Sequence, residues 1–191
     1  MKRRTIFYRA VVVVITALLM AIPFATQAPA QTPNPNSPPL RNIVQGYEPV
    51  FMAGASAYSV FTTDTASAHQ VWYRISGGDA LFRQRLRVYQ ENAGPRPQNQ
   101  LPPDSARRQE LLSNDPTGWF MFPATTGIST YYFDGDHRSR GSQEWQDAFG
   151  LKVQRTRYAN GNLYELGFED QESLDDFNDI EIQVVILQPQ P

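Results

Sequence analysis

The sequence predicts an all-β protein, an antiparallel β-sandwich of jelly-roll-like type with one short helix. Three observations lead there. Apolar and polar residues alternate over short runs, as in Tyr164, Leu166 and Phe168 against Glu165 and Gly167. About eight such runs can be traced, and turn-forming residues separate them. The 191-residue chain carries 15 Pro and 12 Gly as punctuation, while its hydrophobic fraction of 41% is enough for a core.

Met1 to Ala30 has the form of a signal peptide. Lys2, Arg3, Arg4 and Arg9 precede the apolar run Ala10 to Ile22, and Ala28-Pro29-Ala30 supplies small residues for cleavage. The run is shorter than the about 20 residues a membrane-spanning helix needs. Residues 31–41 follow as a Pro-rich disordered spacer, QTPNPNSPPL and Arg41. Asn42 to Gln188 is then one sandwich domain. A mature chain of about 160 residues buries close to 70% of its unfolded surface, so a single core suffices.

Losing the leader removes four of the 17 basic residues and no acid. That leaves 13 Lys+Arg against 19 Asp+Glu, a net charge of −6. An acidic chain without a basic tail argues against nucleic-acid binding. There is no Cys, so no disulfide supports the exported fold.

Arg41 to Phe61 alternates apolar and small residues and reads as strands broken at Gly46, Pro49 and Gly54. Val71 to Ile75 reads as a strand, Ser76 to Asp79 as a turn, and Ala80 to Tyr89 as the returning strand. In the latter, Phe82, Leu86 and Val88 share one face, and Arg83, Arg85 and Arg87 share the other. Three Arg at spacing two form a basic stripe about 14 Å long. It suits an acidic glycan, but charged outer faces are ordinary in such sheets, and the stripe can also pair with the protein's own carboxylates. On the solvated-face reading, replacing all three with Gln changes stability little.

Ala93 to Asp104 is a Pro-rich loop, and Ser105 to Leu112 is the expected short helix, with Asp104 or Ser105 as N-cap and Leu111 and Leu112 inward. Trp119 to Phe122, apolar at every position, suits a central strand. Ile128 to Phe133 is the next strand, ended by a turn at Asp134-Gly135-Asp136-His137. Phe149, Leu151 and Val153 alternate in another. Asn160-Gly161 is the strongest hairpin signal and predicts a type I′ turn, with Ala159 facing Asn162 and Val153 facing Phe168.

The last third carries the densest chemistry. Two alternating strands, Tyr164 to Phe168 and Ile180 to Ile186, flank a loop holding Glu169, Asp170, Glu172, Asp175, Asp176 and Asp179, with no Lys or Arg from Tyr164 to Leu187. Gathered carboxylates repel one another, so the loop must be solvated or must hold a cation. Ca²⁺ takes six to eight oxygens from carboxylates, amides and carbonyls in a flexible cage, and Asn178 adds a neutral oxygen. Phe177 can turn inward to anchor the loop. An EF-hand is excluded, since its central Gly and 12-residue spacing are missing.

The run Gly167-Phe168-Glu169-Asp170, followed by Asp176-Phe177-Asn178-Asp179 and an apolar strand, resembles the signature of a bacterial secreted domain family of unknown function. That pattern is Phe-Glu-Asp, a short loop, then Asp-x-Asp-Tyr/Phe-Asn-Asp, and the resemblance runs from Trp119 onward with gaps. It implies a β-sandwich at the cell surface or in the periplasm that binds calcium through Glu169, Asp170, Asp176, Asn178 and Asp179. Leu174 stands where the pattern has its first Asp, and Gln171, Glu172 and Ser173 replace its loop glycines. A tight wrap of backbone is harder without Gly, so the expected affinity is weak.

Catalysis finds little footing. With two His and no Cys, Cys nucleophiles and His-rich zinc sites are excluded, and neither G-x-S-x-G nor H-E-x-x-H occurs. His137 has no identifiable nucleophile near it in sequence, and nothing fixes the spacing of a glycosidase carboxylate pair. A lectin-like, carbohydrate-binding role is the alternative, with Trp72, Tyr73, Trp119, Tyr131, Tyr132 and Trp145 as candidate aromatic surface and core packing as the competing use. The sequence therefore points to an exported, non-catalytic module with a calcium-binding acidic loop.

Overall fold

The computed structural model describes residues 31–54, 57–97 and 100–188. The expected leader, Met1 to Ala30, lies outside them. Ten strands run through the described residues: β1 (Ile43–Gly54), β2 (Tyr58–Gly77), β3 (Arg83–Glu91), β4 (Arg107–Leu111), β5 (Phe120–Met121), β6 (Thr125–Arg138), β7 (Gln146–Asp147), β8 (Gly150–Tyr158), β9 (Gly161–Glu169) and β10 (Ile180–Leu187). Every pairing is antiparallel, as the alternating patterns predict.

The 20-residue β2 belongs to both layers. Its first part, Tyr58 to His69, pairs with β6, followed by β3 and β4. Its last part, Gln70 to Gly77, pairs with β10, followed by β9, β8 and β1. The change of sheet coincides with a register irregularity between Thr65 and His69. There His69 is buried, its Nε2 2.7 Å from the Tyr131 hydroxyl and 2.8 Å from Thr63 Oγ1. Burial lowers the His69 pKa, so the ring stays neutral within this hydroxyl network.

The two layers bury one core. Val71, Tyr73 and Ile75 of β2, Leu86 and Val88 of β3, and Tyr131 and Phe133 of β6 meet Leu151, Leu166, Phe168, Ile180, Ile182 and Val184 from the other strands. The alternation read in β9 and β10 is the alternation observed. A second cluster, Trp72, Val185 and Leu187 with Leu40 packed on it, covers the outer face of β2 and β10. The segment 31–41 reaches this cluster through Leu40 and holds two backbone contacts to Asn160, whose Oδ1 accepts from Arg41 N at 2.8 Å and whose Nδ2 donates to Pro39 O at 2.7 Å.

Five local expectations are corrected. Ser105 to Leu112 is not a helix: a three-residue 3₁₀ turn, Asp104–Ala106, leads into β4, whose Leu111 and Gln109 pair with Leu86 and Val88 of β3. The open edge of β3 outweighs a weak local preference for helix. Leu112 is exposed rather than inward. The segments around Ser76 to Asp79 do not form a hairpin either. Both sides of Tyr73 are already taken, by β10 and β5, so β3 has no edge to join there and the chain crosses to the other sheet.

Trp119 to Phe122 contributes only the two-residue β5 at the sheet margin, although Phe120 and Phe122 do enter the core. The expected turn at Asp134 to His137 is a continuous part of β6, held by β3 on one side and β7 on the other. Finally, the β8–β9 turn is Ala159-Asn160, with Tyr158 opposite Gly161 and Val153 opposite Leu166. Gly161 is drawn into the strand because a Cβ there would meet the backbone of Ile186 and Leu187 in β10. The shift is two residues, so Leu151, Val153, Leu166 and Phe168 keep their inward face. Phe149, expected among them, is exposed and lies beside His137.

Candidate metal centre

The β9–β10 connection carries the acid loop, and its shape starts from two glycines outside it. A Cβ on Gly167 would collide with the Phe177 carbonyl oxygen, and one on Gly78 would collide with that of Asp179. Their absence lets the loop fold back across both positions. The Asp79 N–H donates to the Asn178 carbonyl at 2.8 Å, and Asp179 N–H donates to Phe168 O at 3.2 Å. Phe177 is buried, as its apolar ring among acids predicts.

The bends that glycine would supply are made by other residues. Leu174 (φ 51°) and Phe177 (φ 54°) occupy the left-handed region without glycine. Leu174 is thus a bend point of the loop.

Inside the fold, Glu169, Asp170 and Asp179 are buried and bring carboxylate oxygens within 4.8 Å of one another. Glu169 accepts from the N–H groups of Gln171 and Phe177, each at 3.1 Å. Asp179 Oδ2 accepts from Asp170 N–H at 2.6 Å. Asp170 Oδ2 accepts from Gln84 Nε2 at 2.7 Å, whereas Asp170 Oδ1 is buried with no hydrogen-bond partner. Among the described residues, no ion pair reaches any of the three.

The electrostatics follow from that placement. Burial pushes Asp179 up to about 7, aided by a hydrogen bond shared with Glu169 and by the charges of Asp170 and Glu169. Burial raises Asp170 too, against the opposing bond from Gln84. Burial also acts on Glu169, but hydrogen bonds from Asp179 and from the backbone at Phe177, Gln171 and Asp176 outweigh it and hold this carboxyl below its ordinary range. Without a cation, then, Glu169 is the anion and Asp179 keeps a proton toward neutrality.

The five expected ligands do not form a single group. Glu169, Asp170 and Asp179 converge in the interior, while exposed Asp176 joins Glu169 and Asp175 in a second group at the surface. Glu169 belongs to both. Asp175 was not among the expected ligands; its place one residue before Asp176 was the available signal. The side chains fit a hard cation, since several anionic oxygens gather where one buried oxygen lacks any donor.

A third carboxylate group was missed by the sequence reading. Asp134, Asp136 and Asp147 come together on the outer face of β6 and β7, with Asp134 and Asp136 buried. Here the protein supplies its own cations. Arg85 Nε donates to Asp136 Oδ2 at 2.7 Å, Arg87 Nη2 donates to Asp136 Oδ1 at 3.0 Å, and Arg87 Nη2 lies 2.6 Å from Asp134 Oδ2 as an ion pair without hydrogen-bond alignment. Burial pushes Asp134 up to about 8, with repulsion from Asp136 adding and Arg87 opposing. Two members of the Arg stripe are therefore internal counter-ions, and only Arg83 is exposed. Asp134 and Asp136 share the period-2 spacing of Arg85 and Arg87, but reading 134–137 as a turn hid the match.

The aromatic surface is also redistributed. Trp72, Tyr73, Tyr131 and Tyr132 are all buried, so neither of the adjacent tyrosines is presented to solvent. Trp119 lies under the Arg74 guanidinium at 4.7 Å, and Trp145 under those of Arg85 and Arg138 at 4.5 and 4.8 Å.

No protein-family model matches the chain, and no curated protein matches it. Among solved structures it is similar to the Chromobacterium violaceum lectin CV2L in complex with alpha-methyl-fucoside, at 16% identity and a TM-score of 0.37, over 69% of this chain and 96% of that one.

Proposed function

We propose that this protein is an exported, non-catalytic β-sandwich module in which the Glu169–Asp179 loop binds calcium, serving a structural or binding role at the cell surface or in the periplasm. The observation that carries the reading is the buried trio Glu169, Asp170 and Asp179, with Asp170 Oδ1 lacking any partner. Burying an ionised carboxylate without a counter-charge is costly, and a divalent cation offsets that cost for all three at once. The resemblance of Phe168-Glu169-Asp170 and Asp176-Phe177-Asn178-Asp179 to the acidic signature supports the same reading.

Glu169, Asp170 and Asp179 would hold the ion from the interior, and Glu169 links them to the separate surface group it forms with Asp175 and Asp176. Bound calcium supplies positive charge and ties β9 to β10 through oxygen ligands. No chemistry on a substrate is assigned to it. The export assignment rests on the leader-like pattern of Met1 to Ala30.

The test is thermal unfolding of the purified protein in EDTA, Mg²⁺ and Ca²⁺. Ligand that binds only the folded form stabilises it by RT ln(1 + [L]/Kd), about 2.7 kcal/mol at one hundred times Kd. The melt is expected to rise in millimolar Ca²⁺ and much less in Mg²⁺, which resists irregular cages. An unchanged melt in Ca²⁺ would leave the loop as a proton-sharing acidic turn.

A further inference from the structure

We infer that the cleft between the β2–β3 crossing and the β6–β7 turn binds the carboxylate groups of a uronic-acid-containing glycan. The cleft has a volume of about 410 Å³, in the range of small-molecule sites, and three of its lining residues are Arg83, Arg138 and Arg140. No carboxylate lines it.

Arg83 and Arg138 are directly opposite each other on β3 and β6. Like charges in directly opposite positions are destabilising in an antiparallel pair. Two residues along the same face, the protein solves this problem by placing Asp136 opposite Arg85, and then Asp134 opposite Arg87. At Arg83 and Arg138 it places no acid. Arg140 adds a third guanidinium, and among the described residues none of the three makes an ion pair. Arg138 is held in place by its stacking on Trp145, so part of its ordering precedes binding.

Guanidinium forks match carboxylates in bidentate geometry, which selects the anion class. Ser139, Ser142 and Gln143 line the same cleft with hydroxyl and amide groups suited to sugar hydroxyls, and Phe82 offers an apolar wall for a pyranose face. The chain as a whole is acidic, with 19 Asp+Glu against 17 Lys+Arg, which disfavours polyphosphate partners at long range. A uronate chain carries one charge per sugar, a lower charge density than duplex nucleic acid, so the same repulsion is smaller for it. None of the loop carboxylates lines this cleft, so the inference stands apart from calcium binding.

The experiment is calorimetric titration of the full chain with oligogalacturonate, with a neutral oligosaccharide of equal length and with duplex DNA. Oligogalacturonate alone is expected to bind, more weakly as salt rises. The R83Q/R140Q variant should lower its affinity at least about tenfold, while R157Q, which removes an exposed Arg elsewhere, should leave it within about twofold. An unchanged melt shows that both variants remain folded. Equal loss in R157Q, unchanged binding in R83Q/R140Q, equal binding of DNA, or no binding of oligogalacturonate would each overturn the assignment. EDTA separates the two sites: oligogalacturonate binding should persist in it.

Discussion

The Asp170 N–H donates to Asp179 Oδ2 at 2.6 Å, pinning the last acid of the loop against the second. This bond holds Asp179 inside the fold, where its charge has no cation among the described residues. Burial there raises the pKa of Asp179 to about 7, so its charge depends on pH near neutrality.

The pH dependence has a definite sign. Asp179 is raised from 3.8 to about 7 and Asp134 to about 8, with Asp170 and Asp136 moved the same way. The folded form then binds more protons than the unfolded form, so stability falls as pH rises between about 4 and 8. Glu169, shifted down, acts oppositely and loses its contribution only as pH falls through the acid range. Urea unfolding in EDTA across pH 4.5 to 8.5 should give a declining curve, and Ca²⁺ should flatten the part due to the loop. A curve that rises toward pH 8 would contradict the burial that raises these acids.

Asp179→Asn should imitate the protonated acid. Its amide retains an acceptor for Asp170 N–H and a donor toward Glu169. At pH 8 the variant should be more stable than the unsubstituted protein in EDTA, and should show no calcium shift. Calcium added to the unsubstituted protein in weak buffer near pH 7 should also release protons, readable with an indicator dye.

Gly167→Ala tests whether loop closure depends on the glycine. The added methyl would press on the Phe177 carbonyl, so the loop must lift or β9 must shift, at a cost of about 1–3 kcal/mol. Calcium affinity should drop although every ligand remains. Retained affinity with native stability would show that the loop does not need this close approach.

The Arg stripe divides by position. Arg87→Gln removes the cation beside Asp134 and Asp136, which should destabilise by about 3–5 kcal/mol above about pH 8, where Asp134 is ionised, and by less below it. Arg83→Gln should fall within about 0.5 kcal/mol of the unsubstituted protein, as an exposed change does. The expectation that all three could be replaced with little effect should therefore be met at Arg83 alone. Chemical denaturation of the two single variants measures the contrast directly.

What the sequence determined was local and periodic. Alternation in Tyr164 to Phe168 and Ile180 to Ile186 specified two strands, their inward faces and the acid loop between them, because side chains on a strand must point to opposite sides. The buried place of Phe177 was legible for a similar reason: a large apolar ring among six acids has one favourable destination. Tertiary structure decided what depends on partners distant in sequence. Arg107 to Leu111 became a strand because β3 had an open edge, and the Asn160 hairpin slipped by two residues because Gly161 had to lie against β10. Arg85 and Arg87 became counter-ions rather than a solvated face because β6 ran on through Asp134 and Asp136. The acid loop was divided the same way, Asp179 drawn inward and Asp176 left outside, because the backbone bends at Leu174 and Phe177. Charge and alternation are properties of neighbours along the chain, whereas burial and counter-charge are properties of neighbours in space.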